Sequence, residues 1–337
     1  MKSALYRETG LDSPIEVVER PIPDAGRGHV RVRIAVSGVN PTDVDQKRGR
    51  GAHEELREPQ VPNQDGAGTV DAVGEGVHGV SVGDRVWVWD ASWKRSEGTA
   101  QQYVVLPAHQ VVPLALEASF DVGASLGIPA LTAHRALTSF AEGPEELAPG
   151  AFDGRTVLVA GGAGAVGHAA IQLARWAGAE VIATVSGDRK AELATRAGAH
   201  HVIDYTRGSL PAAVRAIGRP SVIVEVNALH NLHDDIELIA DGGGISIYTP
   251  GNSPTLDIPS RRAMTKNIQF SFILTYTTSE RQKRHAVAAV AAAVAAGALA
   301  VGAEHGMPVT RFSLDEVPAA LQAVADHTVG KVLVDIP

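Results

Sequence analysis

The chain of 337 residues contains no cysteine. It can therefore form no disulfide, no thiolate nucleophile and no cysteine-based zinc site, although the absence of thiols fits any redox compartment. Positive charge is also in deficit, because the formal net charge is −8. This balance provides no basic surface for nucleic acid or for an anionic membrane, and we expect neither as a partner.

Long apolar segments are scarce as well. The N-terminal stretch MKSALYRETGLDSP has no apolar core of the kind that a signal peptide needs, which predicts a cytoplasmic protein. Residues 286–303 contain only Ala, Val, Gly and Leu and approach the minimum length of a membrane span. Within them Val287, Val290 and Val294 recur at helical spacing, which indicates a helix packed by one face rather than a span.

A glycine-rich turn between a strand and a helix is the most informative segment. The apolar run 157–159 predicts a buried strand, the turn 161–167 has the spacing G-x-x-G-x-x-G, and a helical pattern follows through Trp176. Such glycines let backbone N–H groups approach a pyrophosphate, and the helix N-terminus supplies partial positive charge. The spacing differs from the commoner G-x-G-x-x-G, so a turn without a ligand is the alternative.

The end of the next strand indicates which dinucleotide binds. Enzymes that use NAD usually have Asp or Glu at this position, whereas this chain has Val185. Ser186, Arg189 and Lys190 follow, so a 2′-phosphate would meet a hydroxyl and two cations. Asp188 opposes this interpretation, but its position is typical of a helix N-cap. We therefore predict NADPH, with the alternative that Arg189 and Lys190 are solvated helix charges.

The pattern of strands and helices divides the chain into two domains. Short strands and turns run up to about residue 122 and indicate a β-rich domain. From about 124 to 274 strands alternate with helices, which is typical of a doubly wound parallel sheet; the strand-like segments are 157–160, 181–185, 201–203, 222–226, 244–248 and 270–274. We expect the tail to return to the first domain, which gives a β-rich domain of 1–123 with 275–337 and a dinucleotide-binding domain of 124–274.

The chain resembles a known family along nearly its whole length. The shared motifs are Gly38-Val39-Asn40-Pro41, Gly66-Ala67-Gly68, Val82-Gly83-Asp84-Arg85-Val86, Gly127-Ile128-Pro129, Leu131-Thr132-Ala133, the glycine turn and Gly330-Lys331-Val332. Together they resemble the zinc-independent medium-chain dehydrogenases/reductases, specifically the quinone oxidoreductases of the zeta-crystallin type. The resemblance implies an α/β fold, in which a Rossmann domain with a doubly wound parallel sheet accompanies a β-rich, GroES-like catalytic domain.

The resemblance also implies that no metal takes part in the reaction. Zinc-dependent relatives have Cys at the position of Asn40 and Gly-His-Glu at the positions of Asn63-Gln64-Asp65, so the zinc ligands are missing from this chain. Without a Lewis acid, alcohol oxidation is disfavoured. Hydride delivery to an electron-poor quinone or activated alkene stays feasible, because such an acceptor stabilises its own charge.

Carried over position by position, the resemblance implies a cofactor site built from separate segments. The pyrophosphate would lie on Ala163, Gly164, Ala165, Val166 and Gly167, the 2′-phosphate on Ser186 and Lys190, and the adenosine under Tyr205; Arg189 is added from its charge alone. A cofactor-contacting Asn matches Asn231, and the strand ends that line the nicotinamide match Tyr248, Thr249, Pro250 and Gly251 with Ile273, Leu274 and Thr275. The nicotinamide and the substrate would meet at Asn40 and Thr132, and Asp45 replaces a cofactor-contacting Tyr.

Two other patterns suggest different chemistry. Residues 123–127 satisfy the motif G-x-S-x-G around Ser125, but a nucleophile elbow needs a preceding strand, and residues 119–122 do not predict one. His230, His233 and Asp234 could bind a metal at helical spacing, although no further ligands accompany them. We expect a chance match in the first case and a polar helix face in the second.

These observations predict an NADPH-dependent reductase that moves a hydride to a quinone-like acceptor bound in the cleft between the domains. No residue is assigned as a catalytic acid, because a reduced quinone can take its proton from water. The alternatives are an enone or 2-alkenal double-bond reductase and, in another class, an NADPH-binding structural or interaction protein that lacks turnover. The apolar strand 270–274 would be an exposed sheet edge unless it is paired, so we also expect a homodimer or a dimer-based tetramer.

Overall fold

The computed structural model describes residues 1–50, 56, 58–253 and 255–337. These residues form two compact units: the first comprises Met1–Ile128 with Pro308–Pro337, and the second comprises Pro129–Met307. The tail thus joins the first unit only from Pro308 onward. Residues 275–307, which the sequence assigned to the β-rich domain, belong to the second unit.

Strands predominate in the first third of the chain, and strands alternate with helices in its middle. The strands are β1 (Lys2–Leu5), β2 (Glu16–Glu19), β3 (His29–Val39), β4 (Asp65–Val73), β5 (Arg85–Val88), β6 (Tyr103–Pro107), β7 (Val111–Pro113), β8 (Thr156–Ala160), β9 (Glu180–Val185), β10 (His201–Asp204), β11 (Val222–Glu225), β12 (Gly244–Ile247), β13 (Gln269–Phe272), β14 (Val309–Ser313) and β15 (Lys331–Asp335). The helices are α1 (Pro41–Lys47), α2 (Phe120–Gly123), α3 (Gly127–Thr138), α4 (Ala165–Trp176), α5 (Asp188–Arg196), α6 (Leu210–Ile217), α7 (Ala228–Leu238), α8 (Ser260–Thr265), α9 (Glu280–Ala295) and α10 (Val317–Ala325).

The first unit is built on an antiparallel sheet. Its strands follow the order β14-β15-β3-β4-β5-β7, with β6 also paired to β3, while β1 and β2 form a separate pair. Only the β14–β15 pair of that order is parallel within the described residues. Strand β3 buries Val30, Val32 and Ile34 and exposes Arg33, which is the alternation expected of a strand with one face on the core.

The second unit is built on a parallel sheet. Its strands follow the order β10-β9-β8-β11-β12-β13, and each adjacent pair is parallel. This order is that of the doubly wound Rossmann fold, so the predicted fold class is confirmed. Strand β8 lies inside the sheet, where Val157, Leu158 and Val159 are at most 1% exposed. Their continuous apolar run reflects burial of a central parallel strand on both faces.

Hydrogen bonds to helix α4 explain why residues 275–307 belong to the second unit. Gln172 on α4 donates to the carbonyl of Ala300 at 3.2 Å and accepts from the N–H of the same residue at 3.1 Å. His168, also on α4, lies with Nε2 2.8 Å from the carbonyl oxygen of His305. These polar contacts join segments that are distant in the chain, and apolar periodicity gives no sign of them.

Helix α9 is the Ala/Val segment of the sequence. It buries Ala286, Val290 and Val294 along one face, which follows helical spacing. Val287, which the sequence placed in the buried stripe, is only half-buried, and Ala286 takes its place. Across the described residues, none of the helices has both the length and the hydropathy required to cross a membrane.

Candidate functional site

The carboxyl ends of the parallel strands gather the segments that the sequence predicts to bind a cofactor. In a parallel sheet these ends share one edge, and ligands of doubly wound folds bind there. The glycine turn follows β8, Ser186 to Lys190 follow β9, Tyr205 follows β10, Asn231 lies beyond β11, Tyr248 to Gly251 follow β12, and Ile273 to Thr275 follow β13. Two predicted residues lie elsewhere: Thr132 is buried in α3, and Asn40 belongs to the first unit.

The glycine turn has the geometry of an anion site. Gly161 has φ +69°, a left-handed conformation that glycine adopts without strain. A Cβ on Gly167 would lie 2.3 Å from the carbonyl oxygen of Gly161, so only glycine permits this close approach of helix and turn. Helix α4 begins at Ala165, and its first-turn N–H groups have no acceptor one turn earlier. The turn therefore fits a pyrophosphate.

The segment after β9 presents a hydroxyl and two cations. Lys190 donates from Nζ to Ser186 Oγ at 3.0 Å, and Arg189 is exposed. The N-cap of α5 is Gly187, so Asp188 is the first helical residue and not the N-cap that the sequence suggested. Its carboxylate pairs with Arg207 at 2.8 Å. Arg207 was missed by the sequence reasoning, although its place just after β10 puts it at the same sheet edge.

Asn231 is held by a buried carboxylate. Its Nδ2 donates to Oε1 of Glu225 at 3.0 Å, and the backbone N–H of Asn227 donates to the same oxygen. Glu225 is the last residue of β11 and is fully buried. Because a carboxylate can only accept, this contact fixes the Asn231 amide with its nitrogen toward Glu225.

In the first unit, Asn40 lies between a buried ammonium and a buried carboxylate. Lys331 donates from Nζ to Asn40 Oδ1 at 2.7 Å and to the carbonyl of Val39 at 3.0 Å. Asn40 donates from Nδ2 to Asp65 Oδ2 at 2.8 Å, and Asp65 also accepts from the N–H of Ile128 at 2.9 and 3.0 Å. We call Lys331, Asn40, Asp65 and the adjacent Asp43 the buried polar cluster.

The charges of the buried polar cluster depend on one another. Burial raises the pKa of Asp65 to about 6, and the Lys331 charge opposes this rise. Burial also raises the pKa of Asp43, with a further contribution from Asp65, while Asp43 Oδ2 accepts from the N–H of Asn40 at 2.7 Å. Burial lowers the pKa of Lys331, whereas the two carboxyl groups favour its charged form. One cation therefore faces two acids. Within the buried polar cluster the sequence predicted a cofactor role for Asn40 only, and it did not predict that Lys331 and Asp65 contact this residue.

The buried polar cluster does not fit a zinc ion. At two of the positions where zinc-dependent relatives have ligands, this chain has the amides of Asn40 and Gln64. The Gln64 amide already donates to Gln46 Oε1 at 3.3 Å and accepts from the N–H of Ser92 at 3.0 Å. Neutral amides are not zinc ligands, and the ammonium of Lys331 already supplies positive charge to Asn40. Among the described residues no group of three His, Cys, Asp or Glu side chains could hold a metal.

The two competing motifs form no site of their own. Ser125 follows helix α2 rather than a strand, and its Oγ donates to the carbonyl of Asp121 at 2.7 Å, so a nucleophile elbow is excluded. His230 lies with Nδ1 3.0 Å from Asn227 Oδ1, and His233 pairs with Asp257 at 3.5 Å. These histidines lie on the polar face of α7.

Comparison with known proteins gives a consistent result. The model of the zinc-binding dehydrogenase family matches residues 165–292, and that of the alcohol dehydrogenase GroES-like domain matches residues 26–116. Quinone oxidoreductase of Lama guanicoe is 30% identical over 280 residues, which cover 82% of this chain and 80% of the relative. The 2-methylene-furan-3-one reductase of Solanum lycopersicum is 33% identical over 261 residues, covering 75% and 63% of the two chains. A mycobacterial structure complexed with NADPH aligns over 99% of both chains with a TM-score of 0.80 and 27% identity.

The buried polar cluster predicts a pH-dependent effect of Lys331→Met. Removing one partner of a buried charge pair costs about 3–5 kcal/mol, because the remaining charge is uncompensated. We expect this loss in the free energy of urea unfolding at about pH 8, and a smaller loss at about pH 5, where Asp65 is protonated and needs no cation. Lys47→Met is the control, since the buried Lys47 ammonium donates to the carbonyls of Glu8 and Gly10 rather than to a carboxylate. An equal loss at both pH values for Lys331→Met would contradict the prediction.

Proposed function

Because the chain belongs to the quinone oxidoreductase family of the medium-chain dehydrogenases/reductases, and is therefore an oxidoreductase, we propose that it transfers a hydride from NADPH to a quinone-like acceptor without zinc. The observation that carries this proposal is the hydrogen-bonded chain from Lys331 through Asn40 to Asp65. Two of these residues, Asn40 and Asp65, lie at positions where zinc-dependent relatives have metal ligands. A reaction that needs no Lewis acid is the one that such a site supports best.

The proposed cofactor site is the carboxyl edge of the parallel sheet. The first turn of α4 would hold the pyrophosphate, and Ser186, Arg189 and Lys190 would hold the 2′-phosphate by charge-assisted hydrogen bonds. Pairing of Asp188 with Arg207 reduces the repulsion that a free carboxylate would exert on that phosphate. When bound, the nicotinamide supplies the hydride, and the protein orients it and excludes water. The NADPH-complexed mycobacterial relative supports this choice of cofactor.

The acceptor is proposed to be a quinone. A quinone delocalises the charge that the hydride brings, and water can supply the proton, so no protein acid is assigned. Reduction of an enone is the second candidate, because the tomato relative is named for reduction of a 2-methylene-furan-3-one. An enolate needs a proton donor, and the half-buried Tyr248 beyond β12 is the group that we would test for that role.

The proposed reaction is tested by NADPH oxidation with an ortho-quinone and, in parallel, with a simple enone. We expect rapid turnover with the quinone, and we expect Tyr248→Phe to leave that rate unchanged within about twofold, since water supplies the proton. Preference for the enone, together with loss of rate in Tyr248→Phe, would favour double-bond reduction. Tight NADPH binding without turnover of either acceptor would favour a structural or interaction protein.

The preference for NADPH is tested with Lys190→Ala. Loss of one charge-assisted hydrogen bond to a 2′-phosphate corresponds to about a tenfold or greater rise in KM for NADPH, with little change for NADH, which lacks this phosphate. The matched control is Arg196→Ala, which removes a cation from the same helix α5, where it pairs with Glu192. A rise of equal size for both cofactors would show that Lys190 does not recognise the phosphate.

We also propose that the protein forms a dimer or a dimer-based tetramer through β13. This strand is the last of the sheet order, and Phe272 is 63% exposed. Exposed apolar edges of this kind are normally paired. Phe272→Asp should shift the mass by light scattering toward the monomer at micromolar concentration, whereas Val82→Asp, at an exposed apolar residue of the first unit, should not. A monomeric wild-type protein would refute the proposal.

A further inference from the structure

Arg207 lies at the carboxyl edge of the parallel sheet, beside the segment proposed to bind the 2′-phosphate. Strands β9 and β10 pair with Val185 opposite Asp204, and the N–H of Tyr205 donates to the carbonyl of Val185 at 3.1 Å. The two strands therefore end side by side. The segment that begins at Ser186 and the turn that ends at Arg207 leave the sheet as neighbours.

Two carboxylates hold the Arg207 side chain in this place. The backbone N–H of Arg207 donates to the carbonyl of Asp204 at 3.0 Å, and its Nε lies 3.2 Å from Asp204 Oδ2. Its Nη2 lies 2.8 Å from Oδ1 of Asp188, the first residue of α5. Ser186 and Lys190, which are hydrogen-bonded to each other, are each two residues from Asp188. The guanidinium thus reaches the start of the helix that carries the proposed phosphate ligands.

The contact between Arg207 and Asp188 is open to exchange. The side chains of Arg207 and Asp188 are 63% and 81% exposed, whereas that of Asp204 is 11% exposed. Ion pairs as exposed as the first contribute little to stability. A phosphate dianion carries more charge than a carboxylate, and a planar guanidinium can bind it through two N–H groups. A phosphate can therefore take the place of Asp188, while Asp204 keeps the Arg207 side chain at the edge.

We propose that Arg207 is a ligand of the 2′-phosphate of NADPH and that Asp188 occupies it in the free protein. This assignment rests on the proposed function and names a residue that selects the cofactor. Once displaced, the exposed Asp188 carboxylate turns to solvent, where water and salt screen its repulsion of the phosphate.

The same pair disfavours NADH. Enzymes that use NAD hold the ribose hydroxyl with a carboxylate at this edge of the sheet. An uncharged hydroxyl does not displace Asp188 from Arg207, so the carboxylate stays engaged by the guanidinium when NADH is offered. Arg207 thus favours NADPH both by attracting its phosphate and by withholding Asp188 from the ribose of NADH.

The assignment is tested first by calorimetric binding of 2′,5′-ADP, which carries the 2′-phosphate, and of 5′-AMP, which lacks it. Arg207→Ala should raise the Kd for 2′,5′-ADP about tenfold or more, with less than about a threefold change for 5′-AMP. Arg215→Ala is the control, because it removes an exposed arginine of α6 that pairs with Glu237. A rise of equal size for both nucleotides would overturn the assignment.

The Asp188→Ala background separates a phosphate ligand from a mere counter-charge. If Arg207 binds the phosphate, Asp188→Ala tightens 2′,5′-ADP binding, and adding Arg207→Ala still weakens it about tenfold or more. If Arg207 serves only to neutralise Asp188, its removal has no effect once Asp188 is gone. That second result would overturn the assignment.

Steady-state kinetics separates this assignment from the proposed reaction. With an ortho-quinone as acceptor, Arg207→Ala should raise KM for NADPH about tenfold and leave kcat within about twofold of wild type. Arg207→Lys should restore part of the affinity, since lysine keeps the charge but not the planar fork. Absence of turnover with any acceptor would count against the proposed reductase, whereas the binding of 2′,5′-ADP would still decide the role of Arg207.

Discussion

The parallel arrangement of one sheet is the constraint on which the candidate site depends. Because β10, β9, β8, β11, β12 and β13 all run in the same direction, the loops that follow them meet at one edge. Burial of the apolar run 157–159 on both faces holds β8 inside that sheet, with the glycine turn at its end. Residues as far apart in the chain as Gly161 and Thr275 follow strands that end at this edge for this reason.

Each unit orients an asparagine amide by a hydrogen bond to a buried carboxylate. In the first unit Asp65 accepts from Asn40, and the Lys331 ammonium compensates the charge. In the second unit Glu225 accepts from Asn231 and from the N–H of Asn227. Burying a carboxylate without hydrogen-bond or charge partners is costly, so each arrangement depends on these contacts. Both amides are thereby oriented before any ligand binds, which reduces the ordering cost of binding.

Apolar periodicity and the glycine spacing predicted the fold class and the strands of the parallel sheet. Five strands of the parallel sheet, β8 to β12, lie within about a residue of their predicted positions, because buried strands are marked by continuous apolar runs. The edge strand β13 ends at Phe272, two residues before the predicted end. The partners of the asparagines were not predicted. Lys331 and Asn40 are 291 positions apart, and no local pattern couples them. The sequence also did not predict the ion pair between Arg207 and Asp188, for the same reason. Nor did it predict the contacts that join residues 275–307 to α4. Long-range polar pairing follows from the fold and cannot be obtained from spacing alone.

Hydride transfer without a metal is the central claim, and one measurement tests it directly. The protein would be freed of metal with a chelator and assayed with an ortho-quinone and NADPH carrying deuterium at the transferred position. The account predicts an undiminished rate and a primary kinetic isotope effect, because this hydride transfer needs no Lewis acid. Loss of activity on chelation, restored by zinc, would contradict it.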